Sequence, residues 1–124
     1  MKKVTGIGGI FFKCKDPKGV NEWYKTHLGF DTTPYGTSFQ WLEKDSGNEG
    51  ITQWNPFPEN SIYFNPSDKD FMINYRVDDL ESLVTELKSQ GVSVVDHLET
   101  YDYGKCIHIM DHDGDMIQLW QPVV

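Results

Sequence analysis

Two cysteines in 124 residues, Cys14 and Cys106, are too few for a disulfide framework or a four-ligand zinc site. Positive charge is also scarce: 11 basic residues against 19 acidic ones leave a net charge of −8. Neutralising phosphate needs the opposite sign, so neither nucleic acid nor an anionic membrane is expected as a partner. No apolar run approaches bilayer-spanning length, and Met1-Lys2-Lys3 leads into a strand pattern without the apolar stretch of a secretory signal. Low-complexity segments are absent. A soluble protein of a reducing cytoplasm is the expectation. What is there is ring-rich: 14% aromatic within 38% hydrophobic residues, enough for one folded core with large buried side chains. The length suits one such core and is too short for two independent ones.

The chain repeats itself. Asp45 and Asp111, Trp54 and Trp120, and Pro56 and Pro122 are each 66 residues apart, while Asp16 and Asp79, at the starts of two helical patterns, are 63 apart. A repeat that tolerates gaps over most of the chain implies two copies of one supersecondary unit. Each copy reads as strand, helix, then further strands. Val4 to Cys14 and Phe71 to Val77 are the first strands. Asp16-Pro17 opens one helix, which carries Val20, Trp23, Tyr24, His27 and Leu28 and stops at Gly29. Asp78-Asp79 opens the other, with Leu80, Leu83, Val84 and Leu87 as its stripe and Gly91 as its stop. Thr37 to Glu43, Gly50 to Trp54, Ser93 to Glu99, Lys105 to Met110 and Met116 to Trp120 read as strands. The expected layout is a single domain over 1–124, with module 1 at about 1–57, a connection at about 58–69 and module 2 at about 70–124. Ile62 to Phe64 in that connection is ambiguous, crowded by prolines.

Alternation sorts the first strands into two faces. Ile10, Phe12 and Cys14, with Ile73, Tyr75 and Val77, are fit to lie under helices. Gly9, Phe11 and Lys13, with Met72, Asn74 and Arg76, make an oddly polar second face. Such a face suits sheets curled around a wet cavity.

Three stretches carry a family resemblance: Lys15-Asp16 through Trp23-Tyr24-Lys25 to Leu28-Gly29-Phe30, then Val77-Asp78-Asp79-Leu80, and last Met110-Asp111-His112-Asp113-Gly114-Asp115-Met116-Ile117-Gln118-Leu119-Trp120. Together they resemble the vicinal oxygen chelate superfamily of glyoxalase I, bleomycin-resistance proteins, fosfomycin-resistance enzymes and extradiol dioxygenases. The resemblance implies an α+β fold, two tandem βαβββ modules forming a curved mixed sheet around a cavity, and commonly a homodimer. It implies function only broadly, since that superfamily holds isomerases, dioxygenases, transferases and plain binders. Relatives that hold a metal grip it with one residue from each first strand and one from each last strand. Carried onto this sequence, those stations are Gly9, Thr52, Met72 and Gln118. They offer neither carboxylate nor imidazole, and methionine is a soft donor ill matched to Mg, Mn or Ni. No metal and no other cofactor is expected.

Several residues remain as site candidates. Gln118 keeps the shape of the family's glutamate without its charge, and is either a ligand-orienting amide or a polar lining residue. Cys106 and His108 share a strand face; they are either a thiolate-generating couple or a buried small residue beside a hydrogen-bonded histidine. Lys13, Asn74 and Arg76 would suit an anionic ligand group, though the two cations could instead pair with the many acids. Phe11, Trp54, Tyr103, Trp41, Tyr101 and Trp120 could line a pocket for a flat molecule, with 99–105 as its rim. Asp111 to Asp115 lacks the spacing of a calcium loop and reads as a hairpin turn. Two functions stay open. One is metal-free binding of a small organic molecule in the cavity. The other is a glyoxalase-like lyase or isomerase using an unconventional metal site or His108/Cys106 acid–base chemistry.

Overall fold

The computed structural model describes residues 3–123; Met1, Lys2 and Val124, inside the expected domain bounds, lie outside the described residues. The elements run β1 (Val4–Cys14), α1 (Pro17–Leu28), β2 (Thr37–Leu42), β3 (Glu49–Pro58), β4 (Phe71–Val77), α2 (Leu80–Ser89), β5 (Glu99–Tyr101), β6 (Gly104–Met110) and β7 (Met116–Pro122). All seven strands join one curved mixed sheet in the order β2-β3-β1-β4-β7-β6-β5. The expected fold class is the observed one.

The repeat is visible as a pseudo-twofold. β1 and β4 pair antiparallel along the midline, with Phe11 opposite Met72 and Ile10 opposite Ile73. Each is flanked by a parallel last strand, β3 beside β1 and β7 beside β4. Both helices begin as their sequences dictate. The Asp16 carboxylate accepts from the Gly19 N–H and the Asp79 carboxylate from the Ser82 N–H, and the two caps supply partners for orphaned first-turn donors.

The helices cover the convex side. Leu80, Leu83 and Val84 of α2 close over Val77, Ile107, Ile109 and Leu119. Under α1, Tyr24 meets the Trp54 ring at 4.7 Å, and Phe12 meets it at 5.2 Å. A smaller apolar cluster of Phe11, Phe64, Met72 and Met116 plugs one end of the concave side.

Three expectations need correction. The first copy carries two strands after its helix rather than three; where another would lie, Thr33 and Gly36 make an isolated bridge around Pro34, which has no N–H for a ladder. β3 continues beyond Trp54 to Pro58. Its pairing with β2 stops at Thr37–Trp54, so Pro56 and Pro58 occupy a stretch with β1 on one side only, where strand proline is tolerated. Ser93 to Glu99 is largely loop: Val94 bridges Ile109, and the β5 ladder starts only at Glu99. The cause is Asp96, whose carboxylate takes the His108 N–H that a neighbouring strand's carbonyl would have taken.

Candidate functional site

A cavity of about 580 Å³ opens on the concave side. Both copies and the segment between them build its wall. Phe11 comes from β1, Gln53, Asn55 and Phe57 from β3, and Asn74 from β4. Cys106 comes from β6, Gln118 and Trp120 from β7, while Tyr35, Tyr63 and Tyr103 come from loops. Aromatic rings make most of the wall and amides most of its polarity. No lysine, arginine, histidine, aspartate or glutamate is among these lining residues.

A directional chain of hydrogen bonds runs from the exposed Asp96 through the buried His108 and Gln118. Asp96 Oδ1 accepts from the His108 backbone N–H at 2.8 Å, and Asp96 Oδ2 faces His108 Nδ1 at 2.7 Å. A carboxylate only accepts, so a neutral imidazole puts its proton on Nδ1 and leaves a lone pair on Nε2. Only a donor can satisfy that lone pair, which fixes the amide of Gln118: its Nε2 lies 3.1 Å from His108 Nε2. The same Gln118 nitrogen donates to the Tyr63 hydroxyl oxygen at 2.8 Å. Gln118 Oε1 accepts from Asn74 Nδ2. Cross-strand pairing sets this up, because His108 and Asn74 both lie directly opposite Gln118 on their strands. Asn74 Oδ1 points the other way, buried against Gly8 with no partner; a Cβ at Gly8 would overlap it. That close approach is why glycine stands there.

Titratable groups at the wall are held in their neutral forms. Burial pushes the Tyr63 hydroxyl up to about 12, with the Gln118 hydrogen bond opposing it. Burial, with the Asp96 charge adding to it, pushes the Cys106 thiol up to about 11. The Tyr103 hydroxyl is raised in the same sense by burial. Tyr63 is held flat against Phe57, with ring centroids 5.6 Å apart and planes 8° apart.

Of the residues singled out from sequence, Phe11, Asn74, Tyr103, Cys106, Gln118 and Trp120 meet at this wall. His108 lies beneath Gln118 and is only 8% exposed. Five expected lining residues, Trp54, Lys13, Arg76, Trp41 and Tyr101, go elsewhere. Trp54 faces α1, because β3 parity puts Gln53, Asn55 and Phe57 inward. The Lys13 ammonium sits over the Phe64 ring, 5.4 Å from its centroid, at the plugged end. Arg76 stacks on Trp41 at 4.9 Å and lines a neighbouring hollow of about 540 Å³ with Glu43, Glu49 and Asp78. Tyr101 does not line the cavity but stacks on Tyr103, centroids 5.0 Å apart.

Thr52 also needs correction. Its hydroxyl donates to the Ile7 carbonyl at 2.9 Å and accepts from Trp41 Nε1 at 2.8 Å, away from the cavity wall. Phe11 is opposite Asn55 as Asn74 is opposite Gln118, and both pairs are related by 63 residues. The internal equivalent of Gln118 is therefore Asn55. The 66-residue match of turns and tryptophans follows hairpin chemistry, not sheet register.

A family-type metal does not fit the corrected stations of Gly9, Asn55, Met72 and Gln118. A Cβ at Gly9 would lie 3.1 Å from Phe11 and 3.2 Å from Gln53, Met72 is fully buried among apolar side chains, and the Gln118 oxygen is taken by Asn74. Among the described residues, no three or more His, Cys, Asp and Glu side chains gather to hold an ion. Nor do Cys106 and His108 form a couple, since both imidazole nitrogens have other partners and the thiol is shifted away from thiolate.

Sequence reasoning missed Tyr63, Asp96, Tyr35, Gln53, Asn55 and Phe57. Asp96 alone left a signal, as an acid in a strand pattern between Val95 and His97.

Residues 6–119 match the model of the Glyoxalase/Bleomycin resistance protein/Dioxygenase superfamily, and the chain belongs to it. Among solved structures it is similar to methylmalonyl-CoA epimerase from Mycobacterium tuberculosis, at 20% identity and TM-score 0.65 over 100% of this chain and 92% of that one. It is also similar to a Streptomyces coelicolor methylmalonyl-CoA epimerase in complex with 2-nitronate-propionyl-CoA, at 16% identity and TM-score 0.73 over 98% and 99%. A Legionella pneumophila structure described as an NAD-dependent benzaldehyde dehydrogenase shares the fold at 14% identity and TM-score 0.58, over 93% and 98%. At such identities these likenesses define the fold alone. No curated protein matches the chain.

Proposed function

We propose that this chain is a metal-free small-molecule-binding protein of the bleomycin-resistance type, holding one organic ligand in the concave cavity between its two modules. One observation carries the reading: a 580 Å³ hollow walled by rings and neutral amides stands where relatives assemble charged ligands around an ion. Pockets of this size and composition hold drug-sized molecules by apolar contact, with a few polar groups to orient them. The proposal includes a homodimer, supported by the exposed apolar residues Trp23, Leu28, Phe39 and Leu42 on module 1. It includes a cytoplasmic location, in keeping with the free thiols of Cys14 and Cys106. Among the described residues, no helix is long and apolar enough to cross a membrane.

Native mass spectrometry with elemental analysis tests this. The expected species has twice the 14.3 kDa chain mass, binds an organic molecule and holds no stoichiometric divalent ion. A tightly held divalent ion at one per chain overturns the reading.

The Asp96–His108 pair favours a second reading, a lyase or isomerase with His108 as base. Such a base must reach its substrate, and the burial of His108 under Gln118 weighs against it. Turnover on a carbonyl–thiol adduct that survives unchanged in His108→Ala removes that base.

A further inference from the structure

We infer that the ligand is uncharged and carries a carbonyl oxygen on a flat hydrocarbon part, with that oxygen accepting from the Tyr63 hydroxyl; this rests on the cavity being the binding site.

The direction of the hydrogen-bond chain supplies the first half of the argument. Gln118 donates to the Tyr63 oxygen, so the Tyr63 proton cannot point back at Gln118. The hydroxyl has no other acceptor among the described residues, and its ring is pinned between Phe57 and the edge of His108. Its one O–H therefore has no partner but a ligand in the cavity or water, since the residue is 43% exposed. With its pKa at about 12, the group stays a donor throughout the neutral range. Across the hollow, the Gln53 amide has no partner among the described residues, while Asn55 gives one N–H to the Tyr35 carbonyl at 2.6 Å and its oxygen accepts from none of them. A carbonyl flanked by an N–H would find a partner on each side.

Charge supplies the second half. An anion brought here would be stripped of water with no cation to replace it. Lys13 is turned to Phe64, and an anion reaching past the wall towards Arg76 would meet Glu43, Glu49 and Asp78 as well. A cation would find no carboxylate among the lining residues. Phe11, Phe57 and Trp120 offer ring faces to a planar body.

Four probes sharing one ring system separate the claims: naphthalene, 1-naphthamide, 1-naphthoate and 1-naphthylmethylamine. Titration calorimetry on the full chain, with Tyr63→Phe as the variant, reads them out. The expected result is that naphthalene binds equally to both proteins. Naphthamide should bind the native chain about tenfold tighter than naphthalene and lose most of that gain in Tyr63→Phe, while the two charged probes bind no better than naphthalene. Naphthoate or the amine binding as tightly as the amide overturns the inference, as does an amide advantage that survives Tyr63→Phe. In those cases naphthalene binding leaves the cavity reading standing. Failure of naphthalene and naphthamide alike removes the cavity reading and the inference with it.

Discussion

Cys106 shows how completely surroundings decide what a side chain can do. By spacing it is a partner for His108; by burial it is a small apolar residue whose thiol ionises near 11 instead of 9.0. That shift makes stability depend on pH in a definite sense. The unfolded chain ionises this thiol above about pH 9 and the folded chain only near 11, so over that window the unfolded state binds fewer protons and stability falls as pH rises. Tyr63 adds to the fall between 10 and about 12. Denaturant unfolding should show a loss through pH 9–11 that Cys106→Ala reduces, by about 2 kcal/mol at the upper end of the window. A flat profile in the native chain would mean that the thiol is not desolvated. Asp96 and Tyr63 matter at the same scale, yet beyond the oddity of an acid in a strand pattern at Asp96 their roles were not legible. Their roles depend on which atoms a loop brings together, and a loop has no periodicity to reveal that. Asn74 was legible because strand parity turned it inward, and Gln118 because its hairpin resembles the family's.

At the level of elements, helices were easier to read than strands. Asp16-Pro17 and Asp79 marked both helix starts to the residue, since caps are chemical signals carried by one or two side chains. Strand register has no such label. The matching turns and tryptophans suggested a 66-residue offset, yet the ladders between β1 and β3 and between β4 and β7 obey 63. A slip of an odd number of residues turns a strand over, so the 66-residue offset points Thr52 and Trp54 inward, whereas Trp54 packs against α1 and Thr52 bonds Trp41 and the Ile7 carbonyl. This gives a test. Trp54→Ala should cost about 3 kcal/mol of stability through lost packing with Tyr24, Phe30 and Phe12. At a temperature where the variant remains folded, ligand affinity should be unchanged. A large loss of affinity without a loss of stability would place Trp54 at the cavity after all.

Taken whole, the molecule closes a pseudo-twofold sheet around an asymmetric hollow. The symmetry comes from the β1–β4 midline; the asymmetry comes from the stretch between β3 and β4, which was read as a connection. That stretch inserts Phe64, with no exposed surface, between Phe57 and Met72 and presents Tyr63 to the cavity. A passage that by composition resembles a tether is thus anchored at the buried Phe64 and Ser67, which should slow enzymes that cut free chain. Under brief protease digestion, the open turn around Lys44 to Asn48 should be nicked before residues 59–70, although both join strands at the surface. First cleavage within 59–70 would mean that Phe64 leaves its socket readily. Should the turn go first, the two halves of this repeat are fastened by a bolt as well as by a hinge.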